Sequence, residues 1–337
     1  MRRTEQIFIV GSSRTGTTMM GRILNNHSTI YTFKELHFFG TIWSSKSERN
    51  LSNKQSIKLL SRLLCIESNS IFNQNNIKEF YPKAQHILAR IKNPTPLKVY
   101  SLFLKQITNN NSCSISCEQT PNNIFYLNEI LHYFPNAKVI NMIRDQRDVL
   151  LSQKNKWKRR FLGADKIPFM EAIRSYVNYH PIVMAKLWQS SMKYTQKFKN
   201  HRSVKVVRFE DLLLNPKKTV KSICNFLEIN FESKMLQIPL VGSSNEEDSE
   251  FKNMIDKNKV QKWKKGGLSK SEIYLSQIFS KQMMVIFSYN IKHFTYPPIF
   301  SMYYYFSLPI KLSMSFFLNI KRFTHFTEVI KKRIFIR

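Results

Sequence analysis

The stretch Gln6-Ile7-Phe8-Ile9-Val10-Gly11-Ser12-Ser13-Arg14-Thr15-Gly16-Thr17-Thr18 decides the fold class. Gln6–Val10 is short, β-branched and aromatic, and Gly11 stops it, so it is expected as a buried strand. From Gly16 to about Asn26 the apolar period becomes helical, through Met19, Met20, Ile23 and Leu24. Between strand and helix lies a turn whose backbone N–H groups converge at the positive end of the helix, where an anion is favoured. Ser13, Thr15 and Gly16 belong to this turn, Arg14 adds a fixed charge, and Thr17 and Thr18 add hydroxyls. The spacing is G-x4-G, but Thr17 stands where an ATPase or GTPase carries the Lys that serves a triphosphate terminus. ATP and GTP therefore fit poorly.

Downstream, Leu51–Leu64 and Asn122–Phe134 show helical periodicity, with the polar loop Asn69–Asn76 and the break Asn109–Ser112 between them. Pro94–Ile107 holds a turn and an apolar segment. Ala137–Ile143 and Val204–Phe209 are further buried strands, each followed by a helix, at Asp148–Lys156 and Pro216–Leu227. Pro168–Phe198 is expected as one helix disturbed at Pro181, and Ser269–Phe287 as a helix opened by a capping box, Ser269 with Glu272. Gly242–Glu250 is an acidic loop. Short apolar strands alternating with long helices imply an α/β fold, a parallel sheet of P-loop type with helices on both faces. Its ligands are expected at the carboxyl ends of strands, after Val10, Ile143 and Phe209.

Composition bounds the partners. With 53 Lys+Arg against 22 Asp+Glu, the 337-residue chain carries +31, which implies polyanionic company. Only 8 Gly and 12 Pro exclude collagen-like and Gly/Pro-rich classes. Cys65, Cys113, Cys117 and Cys224 are expected as reduced thiols, and Cys113 and Cys117 have no matching His or Cys pair for zinc. No secretory signal or membrane anchor is expected at the start, because Ile7–Val10 is too short an apolar run after Met1-Arg2-Arg3. A cytoplasmic location follows as the expectation.

Two further motifs carry chemistry. Arg144-Asp145-Gln146-Arg147-Asp148 begins at a strand end, and Ser152 follows about two helical turns later. A guanidinium fork with a hydroxyl suits phosphate, while the same residues also suit a surface ion-pair cluster. Lys34-Glu35-Leu36-His37-Phe38-Phe39 offers a carboxylate and an imidazole on one face of an extended segment. The plain alternative there is a helix-edge Glu beside a packed His.

Taken together, the chain from Gln6 to Asn290 resembles sulfotransferases that use 3′-phosphoadenosine-5′-phosphosulfate (PAPS). The resemblance continues through Glu118-Gln119-Thr120-Pro121, Phe134-Pro135-Asn136-Ala137-Lys138, Val207-Arg208-Phe209-Glu210-Asp211-Leu212 and Val260-Gln261-Lys262-Trp263-Lys264. It implies that Ser13–Thr18 hold the 5′-phosphosulfate and that Arg144 and Ser152 hold the 3′-phosphate, with Lys156, Phe209, Lys262 and Trp263 also on the nucleotide. It implies Glu35 as the base that takes the acceptor proton, His37 as its support and Arg14 at the leaving phosphate, with no metal. The Lys34–Phe39 stretch resembles heparan sulfate and related glycan sulfotransferases, whereas the Arg14-to-Glu35 interval resembles tyrosylprotein sulfotransferases. Gln119 replaces a family Lys, Gln146 a family Pro, and Phe209 a Tyr. A carbohydrate hydroxyl is the expected acceptor, with a tyrosyl peptide or a lipid as alternatives and no nucleic-acid partner. A small-molecule kinase lacks its P-loop Lys and Mg²⁺ ligands here, and a non-catalytic polyanion-binding protein leaves Glu35 unexplained.

The expected organisation is one domain over 1–293 and a basic aromatic tail over 294–337. Tyr303, Tyr304, Tyr305, Phe306, Phe316 and Phe317 supply apolar area there, and Lys311, Lys321, Arg322, Lys331, Lys332, Arg333 and Arg337 supply charge. Pro309 and Lys311 interrupt any spanning helix. The tail either packs on the domain or lies peripherally on an anionic membrane.

Overall fold

The computed structural model describes residues 4–89, 91–240, 246–320 and 325–334. A parallel sheet runs through its centre in the order β2-β3-β1-β4-β5. The strands are β1 (Gln6–Gly11), β2 (Ile30–Thr32), β3 (Ile115–Glu118), β4 (Lys138–Ile143) and β5 (Val204–Arg208). Ile9 pairs with Ile140, and Asn141 with Val206, so the apolar runs sit side by side in the middle of the sheet.

Successive strand residues point to opposite faces, and both faces of β1 are covered. Phe8 and Val10 join a core with α2 (Asn53–Asn69), α3 (Tyr81–Leu88), α4 (Pro96–Asn110) and α5 (Leu127–Tyr133). Ile7 and Ile9 join another with α1 (Thr17–Asn25), α9 (Phe209–Leu214) and α10 (Pro216–Leu227). At the end of β4, Ile143 meets Trp188 of α8 (Pro181–Phe198) and Val149 of α6 (Gln146–Lys154).

Several expected boundaries shift for identifiable reasons. The stretch 168–198 forms two helices, α7 (Phe169–Val177) and α8, because Pro181 occupies a first-turn position where its missing N–H costs nothing. The Ser269 capping box is present and opens α11 (Lys270–Ile278), but the helix ends there and α12 (Lys281–Ile286) restarts after Ser280. The helix after β4 begins earlier than expected, since the Asp145 carboxylate accepts the Arg147 N–H as its cap. Asn122–Phe134 starts as a 3₁₀ turn, Pro121–Tyr126, before α5. Of the acidic loop 242–250, residues up to 245 lie outside the described residues, and Ser249 opens the short antiparallel pair β6 (Pro239–Leu240) and β7 (Ser249–Asn253).

The tail folds into α13 (Ser301–Asn319) and α14 (Phe326–Ile334). α13 rests on α7, α8 and α11, and α14 rests on α8. Lys332 of α14 bonds the Glu129 carboxylate at 2.5 Å and the Phe125 carbonyl at 3.4 Å. Among the tail cations, Lys321, Arg322 and Arg337 lie outside the described residues. All four cysteines are unpaired thiols.

Candidate functional site

The carboxyl ends of β1, β4 and β5 converge on an open cleft of about 960 Å³. Its floor is the turn 11–16. Gly11 must lack a side chain, because a Cβ would lie 2.3 Å from the Met142 carbonyl oxygen. Gly16 has φ +97° and packs against the Phe209 ring, which a Cβ would meet at 2.4 Å. Arg14 itself adopts a left-handed backbone, φ 75°, which turns its side chain along the cleft. The strain of that conformation for a bulky residue is compatible with a functional turn.

Arg14 Nε donates to Ser152 Oγ at 2.9 Å, so Ser152 is tied to the phosphate loop. Burial and the charges of Arg159 and Arg144 lower the Arg14 guanidinium to about 10, partly opposed by Glu35. Arg144 leaves the end of β4 and lies over the Phe209 ring at 4.2 Å. It donates to the Lys259 carbonyl at 3.2 Å and stands 4.0 Å from Asp148, while its Nε has no hydrogen-bond partner. Thus the ring that needs Gly16 beneath it also holds Arg144 above it. Thr17, Thr18, Lys259 and Lys262 complete the wall, with Lys262 bonded to Glu246 at 3.2 Å.

A second, larger cleft of about 1670 Å³ adjoins the first. The two share Ser13, Glu35, Pro121 and Arg159. Glu35 thus stands at the junction, with 38% of its side chain exposed, and its Oε2 meets His37 Nε2 at 3.2 Å. Burial pushes the Glu35 carboxyl up, but the His37 hydrogen bond and charge, with the charges of Lys156 and Arg14, outweigh it and leave it below the ordinary carboxylate range.

The Glu35–His37 segment is held from β3. Glu118, fully buried at that strand's end, accepts the Leu36 N–H at 3.4 Å, and Thr120 Oγ1 accepts the His37 N–H at 3.1 Å while donating to Glu118. Burial raises the Glu118 carboxyl to about 7 despite those donors. The motif Glu118–Pro121 is therefore a bracket for the candidate base. Gln119, which replaces a family Lys, packs its amide against Gly21 of α1, where a Cβ would meet its Oε1 at 2.4 Å.

Most of the residues expected from sequence meet here: Ser13, Arg14, Gly16, Thr17, Thr18, Glu35, Arg144, Ser152, Phe209 and Lys262 line the first cleft, and His37 lines the second. Three take other places. Thr15 is buried, and its hydroxyl donates to the Ser12 carbonyl at 2.7 Å, so it braces the turn from inside. Lys156 lies in the second cleft beside Glu35 and not on the Arg144 side, because the helix carrying Ser152 ends at Lys154 and the chain turns away. Trp263 packs under Arg147, 4.0 Å from its guanidinium, and lines a separate hollow. Arg147 also forks onto Asp145 at 2.6 Å, so the Arg144–Asp148 motif divides into a cleft arginine and a buried ion pair.

The structure adds Arg159, whose Nε has no hydrogen-bond partner, and Arg333, which α14 brings beside Ser12 and Ser13. Arg159 belongs to the basic run Lys156–Arg160, which in sequence is indistinguishable from a solvated charge cluster, and Arg333 lies far outside every motif. Among the described residues, no group of three or more His, Cys, Asp or Glu could hold a metal ion.

A family model described as "Sulfotransferase family" matches residues 6–233. No curated protein matches the chain. Among solved structures, the sulfotransferase domain from the curacin biosynthetic pathway is 20% identical, with a TM-score of 0.51, and the match covers 87% of this chain and 100% of that one. The sulfotransferase domain from the Synechococcus PCC 7002 olefin synthase is 18% identical, with a TM-score of 0.50, over 87% of this chain and 98% of that one. At these identities the likeness is one of fold.

Proposed function

This chain belongs to the sulfotransferase family, a PAPS-dependent enzyme class, and from that premise we propose that it sulfates a carbohydrate hydroxyl, with Glu35 as the base. The observation that carries the reading is the position of Glu35, at the one stretch of wall common to two adjoining clefts. The first cleft fits the donor: a glycine-bearing turn, a strand-end guanidinium and two further lysines offer cations and N–H groups to its anionic ends. When bound, PAPS supplies an activated sulfuryl group whose bridging bond breaks with the electron pair going to the phosphate.

The chain's own residues do the rest. Glu35, kept ionised by His37, accepts the proton as the acceptor oxygen forms its bond to sulfur. Arg14, Thr17, Thr18 and the turn amides offset the charge that the phosphate gains. Lys156 and Arg159 flank Glu35 and raise the positive field where the two clefts meet. This is group transfer governed by placement and electrostatics.

The second cleft supports a sugar. Trp157 offers an aromatic wall, and Asn122 and Gln153 offer amides. Its arginines favour a glycan that is already acidic. The four thiols support work in a reducing compartment such as the cytoplasm. The test is transfer of labelled sulfate from PAPS to a panel of neutral and acidic glycans, tyrosine peptides and hydroxylated lipids. Labelling of glycans, strongest for acidic ones and weakened by salt, is expected; labelling of tyrosine peptides alone contradicts the reading.

A further inference from the structure

The outer face of α13 is apolar where a surface helix is ordinarily charged. Tyr303, Phe306, Ile310, Met314, Phe317 and the following Ile320 recur every three or four residues and are all exposed, Phe306 and Phe317 at 71% each. Ser313 is the one polar residue among the exposed positions of this helix. The inner face is mixed, with Ser307, Lys311, Ser315 and Asn319 half-buried beside Tyr304, Leu308 and Leu318. Ser301 is buried, the Tyr304 carbonyl accepts from His180, and Asn319 donates to Asn178 at 3.0 Å. An outward face this apolar departs from the ordinary amphipathic pattern, so the side turned away from the protein is one that needs an apolar partner.

The patch does not end at α13. Lys311 lies 5.1 Å over the exposed ring of Tyr176, and Tyr176 meets Trp157 at 6.0 Å, which walls the second cleft. On the opposite side Tyr305 meets Phe279, and Lys186 lies 5.3 Å over that ring. Aromatic residues bordered by lysines match the boundary between headgroups and acyl chains. Among the described residues no helix is long and apolar enough to cross a membrane, so this face would lie on a bilayer and not within one.

We propose that the outward face of α13 docks the protein on an anionic lipid surface, with the mouth of the second cleft turned toward that surface. Charge selects lipid over a second copy of the chain. At +31 two copies repel, whereas acidic headgroups attract. Docking itself is independent of the catalytic reading; its consequence, an acceptor carried on a lipid, rests on the proposed role of the second cleft.

The full chain is mixed with phosphatidylcholine vesicles, with or without about one-third phosphatidylglycerol, and sedimented at low and high salt. Expected is pelleting with the phosphatidylglycerol vesicles at low salt, and a bound fraction ~10-fold lower for the double variant Phe306→Ser, Phe317→Ser. Neither position lines the first cleft, so binding of 3′-phosphoadenosine-5′-phosphate should be unchanged and shows that the variant is folded. Wild-type protein left in the supernatant, equal pelleting on pure phosphatidylcholine, or a variant that pellets like wild type overturns the proposal. A wild-type dimer that the double substitution dissolves, with no vesicle binding, assigns the face to a second copy instead.

Discussion

Replacing Arg144 by Ala should erase the preference for a 3′-phosphate. The guanidinium is placed by the Phe209 ring, 4.2 Å away, and by bonds to two carbonyls, Lys259 at 3.2 Å and Arg14 at 3.4 Å, and Asp148 stands no closer than 4.0 Å. Two of its five N–H donors are engaged, so the fork retains donors for an anion. Charge-assisted hydrogen bonds of this kind contribute roughly 1.5–3 kcal/mol. At about 1.4 kcal/mol per tenfold, a loss of ~2–3 kcal/mol weakens binding of 3′-phosphoadenosine-5′-phosphate by about 30–150-fold. Adenosine 5′-phosphate has no such group and should lose little. Titration calorimetry of both nucleotides on both proteins gives the ratio, which should fall toward unity in Arg144→Ala. Arg144→Lys should recover only part, since an ammonium cannot fork. The fold should tolerate the change, because Asp148 keeps the Trp263 N–H at 2.9 Å. A variant that kept the wild-type ratio, or lost both nucleotides equally, would refute the assignment of Arg144 to the 3′ end.

Further outcomes follow from the same geometry. His37→Ala removes the hydrogen bond and charge that hold Glu35 below its ordinary value, leaving the upward push of burial; the acid limb of the kcat profile should move to higher pH, and an unmoved limb would show that His37 does not set the state of the base. Gly16→Ala combines a left-handed backbone, φ +97°, with a Cβ 2.4 Å from the Phe209 ring, so it should weaken donor binding ~10-fold or more and lower Tm; a variant with native donor affinity would mean that the loop and ring are free to separate.

Much of this architecture could be read from residue order, for reasons that depend on burial. β1 is covered on both faces and appears as the continuous apolar run Ile7–Val10, while β4 and β5 stay apolar-rich around Asn141, Lys205 and Arg208. β3, Ile115–Glu118, carries Ser116, Cys117 and Glu118, and β2 is three residues long, so neither offers a run to detect. Both are specified by pairing: Ser116 lies between Gln6 of β1 and Tyr31 of β2. At the site, residues at strand ends were legible because the backbone dictates where they point. Lys156, Arg159 and Trp263 were not: the first two follow the end of α6, Trp263 follows the irregular chain after β7, and the path of such chain is set by tertiary contacts such as the Asp148 bond to Trp263. The outward apolar face of α13 was invisible for a related reason. Its aromatics were evident in sequence, but nothing there tells which side the protein covers.

The central claim, that Glu35 at the junction of the clefts is the base of sulfuryl transfer, is tested most directly by Glu35→Gln, which keeps shape and volume but accepts no proton. Single-turnover transfer of labelled sulfate to the glycan best labelled by the wild type, measured beside the affinity for 3′-phosphoadenosine-5′-phosphate, separates chemistry from binding. The expected result is a transfer rate lower by ~10²-fold or more with nucleotide affinity nearly unchanged. A variant that transfers at the wild-type rate contradicts the account and moves the proton to another acceptor, with His37, 3.2 Å from Glu35, the nearest alternative.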